Sequence, residues 1–402
     1  MATTVSASKF IKVTPDQVYT AFTRALNLHE WLCDFATVAP HPGGRIYLWW
    51  HGDFYSAGEY ISLVENKSVT FTWSSRNDPG PSQVKVAIEA RKDGTQVTLE
   101  HTIPDWKDWK GTPEGFRQEW VVSLENLAAV LETGIDKRTF DRPMVGISVS
   151  DFNAAIAKKM GVPVSEGMRL DGAIESMGAY QAGLRKGDVL VSLGGKPLTN
   201  DFGTLVTALQ GKKGGERVEV VFYRGPEKKT VQMELTKRPI PDVAWNPAEL
   251  AKTVRSIYDK GLEAMEKCFA GVSELEADFH PAPGEWSAKE VLAHLIHNER
   301  ILLGNMDDYL GGYERLSDDF GGNIHAHVEA TVKAYRTARG LLDELKRLAD
   351  ELVAFTAALP PEFVTRKSTY FQLANILMNA EQLHTVSHSS QIEAAIAAAR
   401  KK

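Results

Sequence analysis

Cysteine is scarce in this chain: its two residues, Cys33 and Cys268, stand far apart. That excludes a disulfide framework and a cysteine-built zinc site, and it points to a reducing compartment, the cytoplasm. No run approaches the ~18 consecutive apolar residues of a membrane-spanning helix. The opening stretch, MATTVSASKFIKV, has neither the basic head nor the apolar core of a secretory leader. Neither sign of charge dominates: 46 Lys and Arg stand against 52 Asp and Glu, and a net charge of −6 argues against a general nucleic-acid binder. What the chain has is length and an ordinary globular composition. With 402 residues, 43% hydrophobic and 24% charged, it is long enough for two to four domains.

Three stretches follow different grammars. Residues 1–136 read as strands bracketed by two helices. Thr14-Pro15-Asp16-Gln17 is a helix start with a capping box, followed by a stripe of Val18, Phe22, Ala25 and Leu26. Alternating runs at Arg45–Trp50, Glu59–Val64, Ser68–Ser74, Gln83–Arg91 and, after the Asp93-Gly94 turn, Thr95–Thr102 predict an antiparallel meander. Thr112-Pro113-Glu114 opens a second helix that presents Phe116, Trp120, Leu124, Leu127 and Leu131 on one face. Seven of the nine tryptophans fall here, in keeping with a large buried apolar area or an aromatic-lined cavity.

Residues 137–240 turn basic, with 17 Lys and Arg against 11 Asp and Glu. Short strands are predicted at Val145–Val149, Val189–Leu193, Glu216–Tyr223 and Thr230–Leu235, and a helix at Phe202–Gln210, with glycines between them. From residue 241 the strand signals vanish. Helix starts at Asn246-Pro247 and at Ser287-Ala288-Lys289-Glu290, then helices at His325–Thr356 and Ser368–Ala399, predict a four-helix bundle over residues 241–402. Linkers are expected at Gly134–Pro143 and Lys237–Asn246.

The first stretch, through Val13–Phe22, Gly43-Gly44-Arg45-Ile46, Glu65 with Val69–Trp73 and the helix around Trp120, resembles the START-like SRPBCC superfamily, in the branch of heat-shock ATPase activators. The resemblance implies a curved sheet gripping its C-terminal helix around an apolar cavity, with an apolar ligand or a chaperone-type partner. Trp49, Trp50, Trp73 and Trp120 are the candidate lining, against the plainer reading of a packed core. The Asp105–Lys110 loop reads as a lid or as an exposed connector.

The middle stretch, through Arg142–Ile147 and Ala179–Leu190, resembles PDZ domains of the bacterial, protease-associated kind, a small β-sandwich or barrel with helices. The resemblance implies capture of a protein C-terminus or extended peptide by strand addition. Candidate contacts are Met144, Val145, Gly146, Ile147 and Ser148 on one wall, and Phe202, Leu205 and Leu209 on the other. No Gly-x-Ser-x-Gly occurs and the flanking stretches read as other folds, so a protease is not expected.

The last stretch resembles the DinB-like bundles, through Trp286–Leu295 and His384–Ile392. The resemblance implies a divalent metal (zinc, nickel or iron) on three histidines, here His294, His384 and His388. Ser389 and Ser390 stand where many relatives carry a further histidine and a basic residue. Spacing agrees: His384 and His388 are four residues apart, one turn of a helix, and His294 lies on the apolar stripe of another helix. Three neutral imidazoles would leave a coordination position open. Glu381, a turn before His384, is the candidate general base or additional ligand, or simply a structural carboxylate. The expected whole is a multidomain α+β, soluble, metal-binding recruitment protein. The alternative is a metal-dependent transferase, of the thiol-transfer type, or a hydrolase acting in the bundle.

Overall fold

The structure is a computed structural model of the full chain. It describes every residue except 1, 52–53, 77, 105–108, 110, 314–323 and 402, and for 380–387 the helical backbone alone. The chain folds into two compact units, Met1–Ile135 with Asp242–Lys402, and Asp136–Pro241. Among the described residues no helix is long and apolar enough to cross a membrane.

The N-terminal part runs β1 (Thr3–Ile11), α1 (Pro15–Thr23), α2 (Ala25–Trp31), β2 (Phe35–Val38), β3 (Arg45–Trp50), β4 (Phe54–Val64), β5 (Ser68–Ser75), β6 (Ser82–Arg91), β7 (Gly94–Ile103) and α3 (Pro113–Thr133). The seven strands form one sheet in the order β1-β7-β6-β5-β4-β3-β2, antiparallel throughout. Period-two alternation sets its inner face: on β6 Ser82, Val84, Val86 and Ile88 are buried while Gln83 and Lys85 are exposed. α3 packs on β1 and brings Trp120, Leu124, Leu127 and Val130 into the core. Both halves of the capping box at Thr14 and Gln17 form. The stripe predicted to run from Val18 to Leu26 is split, because Arg24 takes an extended backbone (φ −118°, ψ 138°) between α1 and α2.

The middle unit holds α4 (Lys137–Phe140), β8 (Ile147–Ser150), α5 (Ala154–Met160), β9 (Met168–Ala173), α6 (Gly178–Gln181), β10 (Val189–Leu193), β11 (Lys196–Pro197), α7 (Phe202–Leu209), β12 (Arg217–Arg224) and β13 (Glu227–Glu234). Its sheet follows the order β13-β12-β10-β9-β8, with β11 paired to β10. Leu170, Leu190, Leu205, Val220 and Phe222 make its core.

The C-terminal part runs α8 (Pro247–Cys268), α9 (Glu274–Ala277), α10 (Ala288–Gly311), α11 (Ile324–Tyr335), α12 (Ala338–Ala357), α13 (Pro361–Thr365) and α14 (Lys367–Ala399). The four long helices α8, α10, α12 and α14 pack on one another. The single helix predicted at His325–Thr356 is two, broken where Arg336 adopts a left-handed φ of 55°. Lys289 stabilises that break: its ammonium, buried in the side of α10, donates to the Arg336 carbonyl at 2.7 Å and to Asp278 at 3.0 Å.

Sheet and bundle share one unit because α14 begins against the N-terminal helices. Thr369 Oγ1 donates to Glu30 Oε1 at 2.6 Å, and Asn27 Nδ2 to Glu30 Oε2 at 2.9 Å. Gln17 Nε2 donates to the Thr365 carbonyl at 3.1 Å. Gly134, at φ 81°, caps α3 so close to α14 that a Cβ would lie 2.6 Å from the Lys367 carbonyl oxygen. Burial pushes the Glu30 carboxyl up to about 7, against the opposing pull of its hydrogen bonds.

Candidate functional site

In the middle unit β8 ends the sheet order, paired to β9 on one side only. The turn leading into it is fixed by backbone bonds. Met144 and Thr236 exchange N–H···O bonds at 2.8 and 2.9 Å, and the Val145 and Gly146 carbonyls accept from Ala179 and Ile174 at 3.1 and 2.9 Å. Gly146 sits at φ 78°, and a Cβ there would lie 2.3 Å from the Met177 Cβ, so only glycine fits. Val145 is buried, Ile147 half-buried, and Ser148 and Val149 are exposed. Across the domain, the Phe152 amide donates to Asn200 Oδ1 at 2.9 Å, tying the exit of β8 to the entry of α7. On α7 Phe202 and Val206 face solvent, 57% and 44% exposed, and Leu209 packs partly on the core. Leu205 points the other way, into the core, while Val206 shares the exposed face of Phe202; a period of 3.6 separates the two faces at adjacent residues.

The N-terminal part holds a half-open cavity of about 940 Å³. Trp73 and Trp120 line it, with ring centroids 5.6 Å apart and steeply inclined. Trp49 does not: it lies edge-on to His51 with centroids 4.9 Å apart, and its neighbour Trp50 takes the cavity side of β3. Of the predicted lid, Trp109 lines the cavity; residues 105–108 and 110 lie outside the described residues.

His101, which the sequence pattern did not single out, is the polar centre of this wall. Trp120 Nε1–H donates to His101 Nδ1 at 3.1 Å, which assigns the ring proton to Nε2. Nε2–H then meets Ser82 Oγ at 2.7 Å, and Ser82 donates onward to the Trp73 carbonyl at 3.0 Å. Burial pushes the imidazole down to about 4. The Ser82–His101 pair is therefore not a nucleophile with its base: the histidine donates to the serine rather than accepting from it.

In the bundle α10 begins with the expected capping box at Ser287 and Glu290. His294 on α10 and His388 on α14 come together, ring centroids 5.0 Å apart and inclined by 71°. Gln391 Oε1 lies 2.8 Å from His388 Nδ1, a contact that fits an Nδ1–H donor and holds the ring in place. Asn298 Nδ2 lies 3.3 Å from His294 Nε2, and Trp286 covers that ring with centroids 5.0 Å apart. His297 pairs instead with His327, at 4.1 Å between centroids. The side chains of Glu381 and His384 lie outside the described residues. Among the described residues no group of three or more His, Cys, Asp or Glu is placed to hold a metal.

Residues 12–132 match the family described as activator of Hsp90 ATPase homolog 1-like protein, 143–235 match the PDZ domain and 257–388 the DinB superfamily. The three matches follow one another along the chain without overlap. The chain is similar to the periplasmic pH-dependent serine endoprotease DegQ of Escherichia coli (strain K12), 30% identical over 102 residues, 25% of this chain and 22% of that protein. It is 30% identical to the periplasmic serine endoprotease DegP of Salmonella typhimurium over 94 residues, 23% of this chain and 20% of that one. The chain thus spans about a fifth of the length of these curated relatives. Among solved structures it is similar to the Aha1 dimer from Colwellia psychrerythraea (21% identity, covering 32% of this chain and 96% of that one, TM-score 0.28). It is likewise similar to an Hsp90 activator from Plasmodium falciparum (23% identity, covering 33% and 96%, TM-score 0.28).

Proposed function

We propose that this chain is a recruitment protein whose PDZ domain captures an extended peptide ending in a free carboxylate. The edge position of β8, with exposed Phe202 and Val206 on α7, whose entry is tied to the exit of β8 by the Phe152–Asn200 bond, supports this reading. A peptide adding as the next strand gains main-chain hydrogen bonds, while the apolar α7 face selects its last side chains. The local excess of basic side chains favours the anionic terminus. The modules are taken as residues 1–136, 137–240 and 241–402, working in a reducing cytoplasm, in keeping with a chain of two cysteines far apart in sequence. The START-like cavity binds an apolar ligand, and that domain's likeness to Hsp90 ATPase activators favours a chaperone-type partner. A C-terminal peptide library on the full chain tests the PDZ reading. Binders in the micromolar range that weaken at least tenfold on C-terminal amidation support it; equal binding of acid and amide, or nothing tighter than millimolar, contradicts it.

A second reading has its own observation, the approach of His294 to His388. In it the DinB-like bundle holds zinc, nickel or iron on His294, His384 and His388, with Glu381 as base. Bound there, the metal supplies a Lewis acid toward water or a thiol. Elemental analysis of tag-free protein tests it: about one divalent metal per chain, lost in His388→Ala, is expected, and a metal-free protein overturns it.

A further inference from the structure

The START-like cavity is aromatic on its walls and acidic at its rim. Trp50, Trp73, Trp109 and Trp120 line it together with Phe54 and Phe116. Their planes are inclined to one another: 46° between Trp50 and Trp73, 74° between Trp73 and Trp120, and 73° between Trp109 and Phe116. The rings pack against one another tilted or edge to face and together make the wall largely aromatic, a lining that accepts a cation as well as an apolar body.

The charged lining agrees. Asp78 and Glu119 line the cavity, and among the described residues the one basic side chain lining it is Arg76. Arg76 is turned toward the Tyr55 ring, with its guanidinium carbon 5.9 Å from the centroid. Asp78 accepts the Ser75 amide at 2.5 Å, which fixes its carboxyl in place. Burial raises both the Asp78 and the Glu119 carboxyl from their ordinary values, as for acids held in partly desolvated surroundings. His101 stays neutral and adds no positive charge. A fatty acid or other organic anion would meet two carboxyls here, whereas a cation would relieve them.

We propose that this cavity takes an organic cation: a flat apolar body ending in an ammonium group, enclosed by tryptophan faces and balanced by Asp78 and Glu119. The inference rests on the proposed reading that the cavity binds a ligand, and it names that ligand's class.

Calorimetric titration of the full chain with three bicyclic aromatic probes of one shape, ending in trimethylammonium, tert-butyl or carboxylate, tests it. The ammonium probe should bind at least tenfold tighter than the tert-butyl probe, and the carboxylate probe weakest. In Glu119→Gln the ammonium preference should fall about threefold or more, and in Asp78→Asn with Glu119→Gln it should vanish while tert-butyl binding holds. Equal binding of ammonium and tert-butyl probes, or tighter binding of the carboxylate, overturns the proposal but leaves a ligand cavity. Binding by none of the three overturns both. Because Glu119 stands on the exposed mouth, its variant reads the charge without disturbing the fold.

Discussion

Two histidine environments in one compact unit set chemistry against structure. His101 is 1% exposed inside the START-like domain, with both ring nitrogens engaged by Ser82 and Trp120. His294 is half-buried at the bundle, edge to face with a second imidazole. The first ring is a hydrogen-bond relay that orders aromatic side chains and has no nitrogen left for a substrate. The second lies beside another imidazole, the approach on which the metal reading rests. One residue type thus serves as a packing element or as a donor, and the neighbouring hydrogen bonds decide which.

The sharpest way to break the contrast is Trp120→Ala. It removes a large buried side chain and the donor to His101, and should cost about 3–5 kcal/mol in denaturant unfolding of the full chain. His388→Ala should cost under about 1 kcal/mol and act on metal content instead. A comparable loss in the two variants would erase the distinction.

Acid should find His101 next. Its pKa falls from 6.5 to about 4 on folding, so its neutral form stabilises the fold fully above pH 6.5. Roughly 3 kcal/mol is lost as pH falls through 6.5 toward 4. His101→Gln, which can accept from Trp120 and donate to Ser82, should flatten that limb of a stability–pH curve. Glu30 gives the opposite slope where sheet meets bundle. Its carboxyl rises from 4.5 to about 7, so stability is complete below pH 4.5 and declines by up to a similar amount as pH rises through 7. Glu30→Gln should remove the alkaline decline and leave the acid limb; an unchanged alkaline limb would mean the interface opens to water.

The smallest stability effect belongs to Phe202→Asp. The ring is 57% exposed, so unfolding should shift by no more than about 0.5 kcal/mol while peptide affinity falls about tenfold. A large stability loss would show that Phe202 packs rather than binds.

Much of the fold was legible because local chemistry and tertiary context agree. The capping boxes at Thr14 and Ser287 form as spacing dictates, and β3 and β10 keep their predicted bounds. What escaped lacked a local signal. β1 is a polar-looking start whose Val5, Ala7 and Ile11 join the core once it pairs with β7 and α3 packs on it. The α11–α12 break carries no glycine or proline, and Lys289, distant in sequence, donates to its carbonyl. At the cavity two consecutive tryptophans left strand parity undecided, which is why Trp50 lines it and Trp49 does not. His101 was hidden in an ordinary alternating strand, because its partners come from β6 and α3.

Recruitment through strand addition is tested most directly by amide hydrogen exchange on the full chain, with and without a saturating C-terminal peptide. Amides of β8, from Ile147 to Ser150, should slow at least tenfold on binding, with lesser changes on α7. Unchanged exchange along β8 under a peptide shown to bind would place the partner elsewhere and contradict the account.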